Sequence, residues 1–482
     1  MTVSSPNLTN FKSFVEEKVL FGQPLTLELT AILLVYFVQG ILGLARLAVS
    51  FFLKDELGLS PAEVAALMGI AVFPWTIKPL FGFISDGLPL FRYRRRPYLI
   101  LSGFLGAVSW LALATIVNTA WAAIAAITLS SFSVAIGDVI VDSLVVERAR
   151  KETLNDAGTL QSLSWGASAF GGLITAYLGG LLLEYFTTRT VFAVTATFPL
   201  LVSIVAWLIA ELPIAEPPTW SAIGGQVQQL RKAVSQKAIW MPTVFIFAWQ
   251  ATPTADSAFF FFTTNELGFQ PEFLGRIRLV TSIAALTGIW IFQRFLRAVP
   301  FRVIFGWSTV LSAVLGMSML LLVTHTNRAI GIDDHWFSLG DNLVLTVMGQ
   351  IAFMPVLVLS ARICPAGVEA TLFALLMSVL NLAGLLSHEL GALLTHQLGV
   401  TETNFDRLWL LVIITNLSTL LPLPLLGLLP SVTAQSDEGD RPAESQSLPL
   451  EAASEPAISL VAQSKKIQEI PVAVGELDLE LR

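Results

Sequence analysis

Charged residues are scarce in this sequence. They make up 13% of its 482 positions, whereas a soluble globular domain carries about 25%, and 54% of the positions are apolar. The mean hydropathy is +0.72. A surface in contact with water needs more charge than this, so the composition excludes an ordinary soluble domain. It indicates a chain that faces lipid over much of its surface.

Cysteine and histidine are also rare, with one cysteine, Cys364, and four histidines. A single cysteine excludes an intrachain disulfide. The sequence contains no H-E-x-x-H, G-x-S-x-G or Walker motif, the patterns that carry common metal, serine-nucleophile and nucleotide chemistry. We therefore expect no enzyme, no metal site and no cofactor.

The formal charge of −7 comes from the C-terminal segment. Residues 431–482 contain ten acidic and four basic residues, which leaves 24 basic and 25 acidic residues in the rest of the chain. A nearly neutral body offers no large basic surface to a polyanion, so we expect no nucleic-acid partner.

Apolar segments of about 20 residues, the length that crosses a bilayer core, recur along the chain with short polar connections between them. They predict twelve membrane-spanning helices and therefore a lipid-embedded protein. The predicted spans are 27–53, 61–85, 98–118, 120–147, 158–184, 190–210, 240–264, 274–294, 302–323, 341–361, 367–396 and 407–430.

Basic residues predict the orientation of these spans. Loops 2/3, 4/5, 6/7, 8/9 and 10/11 contain 14 basic residues, whereas the opposite loops contain six. The positive-inside rule therefore places both termini in the cytoplasm. The predicted organisation is a cytoplasmic N-terminus (1–26), a six-helix bundle (27–210), a cytoplasmic linker (211–239), a second six-helix bundle (240–430) and a disordered cytoplasmic tail (431–482).

The N-terminus indicates the membrane in which the protein resides. The first 24 residues contain no arginine, so they predict no Arg-rich transit peptide. We expect a bacterial inner membrane, with an organelle envelope as the alternative, and a monomer.

Ionisable residues are distributed unevenly among the predicted spans. Spans 3, 6, 9 and 12 have charge-free interiors, whereas spans 1, 4, 7 and 11 contain Arg46, Asp138, Asp142, Asp256 and Glu389. A charge in the hydrocarbon region costs roughly 2.5–3.5 kcal/mol, so these side chains are expected to surround a polar passage while every third helix faces lipid. The pattern predicts two pseudo-symmetric six-helix bundles, an all-α architecture typical of the major facilitator superfamily.

Arg46 is a candidate substrate-binding residue. It lies about 20 positions into span 1, and we expect an acidic counterpart across the passage, either Asp256 or Glu389. The alternative is an ion pair that locks the helices and has no role in substrate binding.

Asp138 and Asp142 are four residues apart, so both carboxylates lie on one face of span 4. Their functional interpretation is proton coupling or recognition of a ring rich in hydrogen-bond donors. The alternative is anchoring to the arginines of loop 2/3 or to Arg148.

His388 and Glu389 are adjacent, and a carboxylate beside an imidazole suggests a proton relay. Adjacent helical residues point about 100° apart, however, which weighs against a shared target. Four further polar or aromatic residues are candidates to line the passage, although single polar residues in spans often bond between helices. They are Gln39, Gln161, Trp165 and Asn381.

Loop 2/3 resembles the signature of the major facilitator superfamily, G-x-x-x-D followed by a basic cluster. Here Gly82 precedes Asp86, and after an insertion come Arg94, Arg95 and Arg96. Glycine permits close helix approach, and the acidic and basic residues are expected to form a charge latch at the cytoplasmic ends of the helices.

Five further motifs resemble the folate-biopterin transporter family and spread over roughly residues 28–425. They are Lys78-Pro-Leu-Phe-Gly with Arg-Arg-Arg-Pro-Tyr98, Asp138-Val-Ile-Val-Asp142, Leu160-Gln-Ser with Trp165-Gly166, Pro253-Thr-Ala-Asp256 through Glu266-Leu-Gly-Phe269, and Cys364-Pro-Ala-Gly-Val-Glu-Ala-Thr-Leu-Phe373.

This resemblance implies uptake of folates or unconjugated pterins together with protons. A pterin offers an amide N–H beside an amine, which a carboxylate of Asp138, Asp142 or Asp256 would accept. The glutamate carboxylates of folate would suit Arg46, and Trp165 would stack on the flat ring. The residues expected to couple protons are Asp138, Asp142, Asp256, His388 and Glu389.

The sequence thus predicts a secondary carrier of folates or pterins that works by alternating access. Two alternatives remain. One is a carrier of the same fold for another organic solute, such as a nucleoside, an amino acid or S-adenosylmethionine. The other is a membrane receptor that binds a ligand without transporting it.

Overall fold

The computed structural model describes residues 23–149, 159–213, 235–296, 299–362 and 369–429, together with six isolated positions before residue 23 and between 214 and 234. The regular secondary structure of these residues is helical throughout. Eleven of the helices are long and apolar enough to cross a membrane. This confirms an all-α integral membrane protein. The predicted latch, linker and tail fall partly or wholly outside the described residues, as does Cys364.

The first half of the chain supplies six spans. The second of them begins with a capping box, in which the Ser60 hydroxyl accepts from the Glu63 backbone N–H and the Glu63 carboxylate accepts from the Ser60 N–H. The spans are α1 (Leu27–Glu56), α2 (Pro61–Thr76 and Lys78–Gly87), α3 (Arg96–Thr115), α4 (Ala120–Ala149), α5 (Thr159–Tyr185) and α6 (Thr188–Leu208).

The second half supplies the other six. A short helix, Thr326–Ala329, lies between its third and fourth spans. The spans are α7a (Lys237–Gln250) with α7b (Asp256–Phe261, continued as a π-helical turn to Glu266), α8 (Pro271–Leu296), α9 (Phe301–Val323), α10 (Asp334–Arg362), α11 (Glu369–Gln397) and α12 (Leu408–Leu428).

The seventh span departs from the prediction of one continuous helix over 240–264. It breaks between Gln250 and Asp256, because Pro253 has no N–H and disfavours helical backbone at the residue before it. Helix α11 satisfies groups that the break frees: the Ser387 hydroxyl donates to the Thr252 carbonyl, and the Thr254 N–H donates to the Ser387 carbonyl at 3.4 Å. The break is therefore fixed against α11.

The two halves share a repeated turn. The sequence F-F-x-x-x-E-L-G-x-x-P occurs at 51–61 and again at 261–271, a separation of 210 residues. In both copies a π-helical turn ends the span, and the glycine, Gly58 or Gly268, has a positive φ of 64° or 69°. Only glycine adopts this backbone without strain, and a proline then starts the next helix. The repeat therefore supports the predicted pseudo-symmetry.

The charge-free helices contribute to the outer surface. Large apolar side chains on α3, α6, α9 and α12 are exposed, which in a membrane protein means contact with lipid; examples are Phe104, Ile204, Trp307 and Leu417. Helices α3 and α6 pack against each other, as do α9 and α10. Large apolar side chains are also exposed on α8 and α11, for example Trp290 and Leu382, so the prediction that every third helix lies outermost stays a prediction.

The two bundles meet through two equivalent helix pairs, α2 with α11 and α5 with α8. We call the membrane face that carries loops 1/2, 3/4, 5/6, 7/8, 9/10 and 11/12 the far face, and the opposite one the terminus face. At the far face, Leu47 and Phe51 of α1 pack in one cluster with Phe269, Phe273 and Leu274. Apolar packing therefore closes the far face between the bundles.

Polar contacts reinforce this closure. The Tyr177 hydroxyl of α5 donates to Glu272 of α8 at 2.9 Å, and the Lys54 ammonium of α1 donates to Asn265 at 2.8 Å. Helices α5 and α8 approach closely because glycines face each other there: a Cβ placed on Gly180 would lie 2.3 Å from the Pro271 carbonyl oxygen and 2.7 Å from Gly275 Cα.

The glycine contact gives a first testable prediction. Gly180→Ala should destabilise the protein by about 1–3 kcal/mol, because the added methyl group meets backbone atoms that must shift. The expected result is a lower midpoint of thermal unfolding in detergent.

Gly172→Ala is the matched control on the same helix, since a Cβ there meets nothing within 4 Å. It should leave the midpoint unchanged or raise it slightly, because alanine favours a helix more than glycine does. Equal midpoints for the two variants would show that the α5–α8 contact is loose.

Candidate functional site

A lysine and two aspartates form an ionic cluster inside the first bundle. Asp138 and Asp142 of α4 direct their carboxylates toward α2, where the Lys78 ammonium forms ion pairs with both. It contacts Asp138 Oδ2 and lies 3.2 Å from Asp142 Oδ2. The two aspartates are thus paired with a lysine, which neither their functional interpretation nor the alternative of anchoring to the arginines of loop 2/3 included. The side chain of Arg148 lies outside the described residues.

Helix α1 adds two groups to this cluster. The Tyr36 hydroxyl donates a hydrogen bond to Asp142 Oδ1, and Gln39 adjoins the Asp138 carboxylate. The Asp138 side chain is 15% exposed, whereas that of Asp142 is 44% exposed. Asp142 is therefore the carboxylate that water reaches more readily.

Lys78 sits at a bend in α2. The helix is interrupted at Ile77, and Pro79 is the second residue of its second segment. Just before the bend, the Trp75 carbonyl accepts a hydrogen bond from Asn381 of α11 at 3.2 Å, and the Lys78 ammonium lies 5.7 Å from the centre of the Trp75 ring. The bend thus connects the ionic cluster of the first bundle with a helix of the second.

Arg46 lies apart from this cluster. It is exposed and lies ten residues before the end of α1 at the far face. The expected acidic partner is absent, because Arg46 forms no ion pair with Asp256 or Glu389, and the structure describes all three residues. A second arginine, Arg278 of α8, follows Ile277, which packs in the same apolar cluster as Leu47, the residue next to Arg46. The predicted pair is wrong for this structure.

The other predicted acids have separate surroundings. Asp256 is exposed at the first residue of α7b. Glu389 of α11 points toward α2, with its Oε1 atom 2.6 Å from where a Cβ on Gly69 would lie. His388 Nδ1 is buried without a hydrogen-bond partner among the described residues. The described contacts contain no bond between His388 and Glu389, so the relay stays a prediction.

The remaining candidates to line the passage divide into two groups. Gln39 lies beside Asp138, as described, and Asn381 bonds the backbone of α2. Asn381 therefore joins the two bundles near mid-membrane. Gln161 and Trp165 lie on α5, and their side chains fall outside the described part of the chain.

The arginines of the predicted latch donate backbone hydrogen bonds to a glutamate that the motif does not include. Glu211, just after α6, accepts hydrogen bonds from the backbone N–H groups of Arg94, Arg95 and Arg96 at 2.5, 3.0 and 2.9 Å. These are the exposed donors at the start of α3, which a carboxylate stabilises. Glu211 thus caps α3.

Arg95 joins the end of α2 to this capped loop. Its guanidinium is buried and donates to the Ser85 hydroxyl at 3.1 Å. A Cβ on Gly82 would lie 3.6 Å from Val139, an ordinary van der Waals contact with α4. The side chain of Asp86 lies outside the described residues.

The charged residues inside the spans that were not predicted as site residues include Lys78, Arg278 and Asp341. Asp341 of α10 accepts a hydrogen bond from Ser318 of α9, which accounts for its position within the second bundle. The signal for Lys78 and Arg278 was present in the sequence, since each is a basic residue within an apolar segment. Like Arg46, each of these residues is expected to have a partner or a function, because a charge within the membrane is costly without one.

The ionisable groups occupy two depths. Asp138 lies 18 residues from the far end of α4, about 27 Å along the helix, whereas Arg46 lies about 15 Å from the far end of α1. A cavity of about 410 Å³ opens at the far face beside Lys54, Asp55 and Gln270, and none of the predicted site residues lines it. The deeper group, Lys78 with Asp138 and Asp142, contains carboxylates able to take up a proton. The shallower depth contains the cation Arg46, which is able to attract an anion.

Comparison with known proteins places this architecture in a family. The sequence profile of the BT1 family matches residues 39–447. A protein named folate-biopterin transporter from Synechocystis sp. is 62% identical over 448 residues, which cover 92% of this chain and 91% of that protein. A protein of Arabidopsis thaliana named probable folate-biopterin transporter 2 is 34% identical over 403 residues, covering 81% and 80% of the two chains.

Solved structures show the same fold. The crystal structure of the nucleoside transporter NupG superposes with a TM-score of 0.63 at 14% identity, covering 84% of this chain and 99% of that one. At this identity the likeness concerns the fold alone, which is that of the major facilitator transporters. The chain therefore belongs to the BT1 family of multi-pass membrane transport proteins.

Proposed function

We propose that this protein carries folates or pterins across a membrane by alternating access, with coupling to protons. The substrate class is supported by 62% identity, over nearly the whole of both chains, to a relative named folate-biopterin transporter. Carboxylates and unpaired guanidinium groups in the interior suit the donor-rich ring and the acidic side chain of such a substrate. Both termini lie in the cytoplasm of a bacterial cell in this proposal, because the loops of the terminus face contain most of the basic residues.

Alternating access is supported by the contacts that join the two bundles at the far face. Apolar packing, the Tyr177–Glu272 bond and the Lys54–Asn265 bond close the far face. Rocking of one bundle against the other would break these contacts and bring the terminus-face ends together, which exposes a midplane site to the other side. The structure then corresponds to the state that is closed at the far face.

Proton coupling is assigned to the cluster of Lys78, Asp138 and Asp142. Two carboxylates and one ammonium carry one uncompensated negative charge, so the cluster attracts a proton. Asp142 is the more exposed acid, so a proton from the water of the passage reaches the cluster through it. Protonation of the cluster weakens the ion pairs that hold Lys78, which frees the bend in α2 and its contact with α11.

The substrate is tested by exchange of labelled folic acid in proteoliposomes. A carrier preloaded with unlabelled folic acid accumulates the label by counterflow, whereas a receptor binds it without exchange. We expect counterflow that biopterin inhibits and that nucleosides and amino acids do not. Inhibition by nucleosides alone would favour a carrier of the same fold for another solute.

The coupling residue is tested by Asp142→Asn. This variant should lose the acceleration of folic acid uptake by an acidic exterior, because the carboxylate through which the proton reaches the cluster is gone. Counterflow at equal pH should continue, since exchange requires no net proton movement. Uptake is measured in proteoliposomes with and without a pH gradient.

Asp341→Asn is the matched control, because Asp341 is also an intramembrane aspartate but bonds only within the second bundle. It should keep the response to pH. A full pH response in Asp142→Asn, or uptake by the unaltered protein that follows a sodium gradient instead, would contradict the proposed coupling.

The ion pairs of Lys78 should also stabilise the folded protein against unfolding. Lys78→Gln leaves two carboxylates without their cation, and removal of one partner from a buried pair costs roughly 3–5 kcal/mol. We expect a lower midpoint of thermal unfolding in this variant and recovery of most of the loss when Asp138→Asn is added. If the double variant is as unstable as the two single losses combined, the ion pair does not hold the helices.

A further inference from the structure

Arg46 and Arg278 occupy the boundary between the two bundles. Arg46 is exposed on α1 of the first bundle, and Arg278 is partly buried on α8 of the second. Arg278 lies seven residues from the far-face start of α8, about 10 Å along the helix, and Arg46 about 15 Å from the far end of α1. The residues next to them, Leu47 and Ile277, belong to one apolar cluster between the bundles, so the two arginines lie at similar depth beneath the closed far face.

Neither guanidinium has a counterion among the described residues. The acids on neighbouring elements are engaged or directed elsewhere: Glu272 accepts from Tyr177 and Arg276, and Glu389 points toward Gly69 on α2. Asp256 is at a comparable depth on α7b but forms no ion pair with either arginine. Each bundle thus carries, near the boundary between them, an arginine without a counterion among the described residues.

Such an arrangement is costly without an anion. A charge within the membrane is costly without a counterion, and a second like charge at similar depth adds to that cost in a medium of low polarity. An anionic ligand removes both penalties at once. Guanidinium groups also bind carboxylates through two parallel hydrogen bonds, which gives the contact a defined geometry.

We infer that Arg46 and Arg278 together bind a carboxylate group of the substrate, with Arg278 as a binding residue that no sequence motif indicated. This inference rests on the proposed function. Folates end in a glutamate with carboxylates, whereas biopterin has none, so the arginine pair determines preference between these two substrates. A carboxylate held by both arginines also connects α1 of one bundle to α8 of the other.

The test compares the binding of folic acid and biopterin to the purified full-length protein in detergent, measured by calorimetry. Arg278→Gln should weaken folic acid binding by about 10- to 100-fold, the effect of removing a hydrogen bond to a charged group. Biopterin affinity should stay the same, which also shows that the variant is folded. Arg278→Lys keeps the charge and should bind folic acid with intermediate affinity.

Arg294→Gln is the matched control, because Arg294 is an exposed arginine on the same helix at the terminus face. It should bind both ligands as the unaltered protein does. Unchanged folic acid affinity in Arg278→Gln, or an equal loss for folic acid and biopterin, would overturn the inference and leave the proposed function intact. An unaltered protein that binds neither ligand would contradict the proposed function, and the inference with it.

Discussion

The Lys78 ammonium forms ion pairs with two carboxylates of the first bundle, of which Asp138 is the more buried. Asp138 and Asp142 share one face of α4, and no other described cation forms an ion pair with them. Their attraction for Lys78 fixes the bend of α2 against α4. Because the same bend bonds to α11 through Trp75 and Asn381, the electrostatics of one bundle and the contact between bundles depend on each other.

The closed far face is built from different forces. Aromatic and aliphatic side chains pack across the boundary, and glycines bring α5 and α8 within backbone contact. Dense packing of this kind does not deform gradually. It changes only by switching between discrete arrangements. Under the proposed alternating access, the far face would therefore switch as a unit between a closed and an open arrangement.

Much of the fold was predictable, because lipid imposes a strong constraint on sequence. Apolar segments of sufficient length located the spans, and the charge-free spans 3, 6, 9 and 12 expose large apolar side chains, as expected of helices that face lipid. The break in the seventh span was missed, although Pro253 marks it, because the apolar segments 240–249 and 258–262 on either side together suggest one span.

The site was harder to predict. The i, i+4 spacing of Asp138 and Asp142 showed that they share a face but not which cation meets that face, since Lys78 is 60 residues away in sequence. Likewise, nothing local to Arg46 distinguishes an acidic partner from a second arginine.

The internal repeat gives the two halves of the site a common backbone framework, but the charges on that framework differ between the halves. Arg46 and Asp256 are separated by the same 210 residues as the two copies of the repeated turn, so they occupy equivalent positions on α1 and α7b. The shared backbone gives both halves the same turn and the same proline start to the next helix. Opposite charges at equivalent positions then make the two sides of the passage chemically different. A substrate with a donor-rich ring at one end and carboxylates at the other would bind such a passage in one orientation, because reversing it would place its carboxylates against Asp256 and away from Arg46.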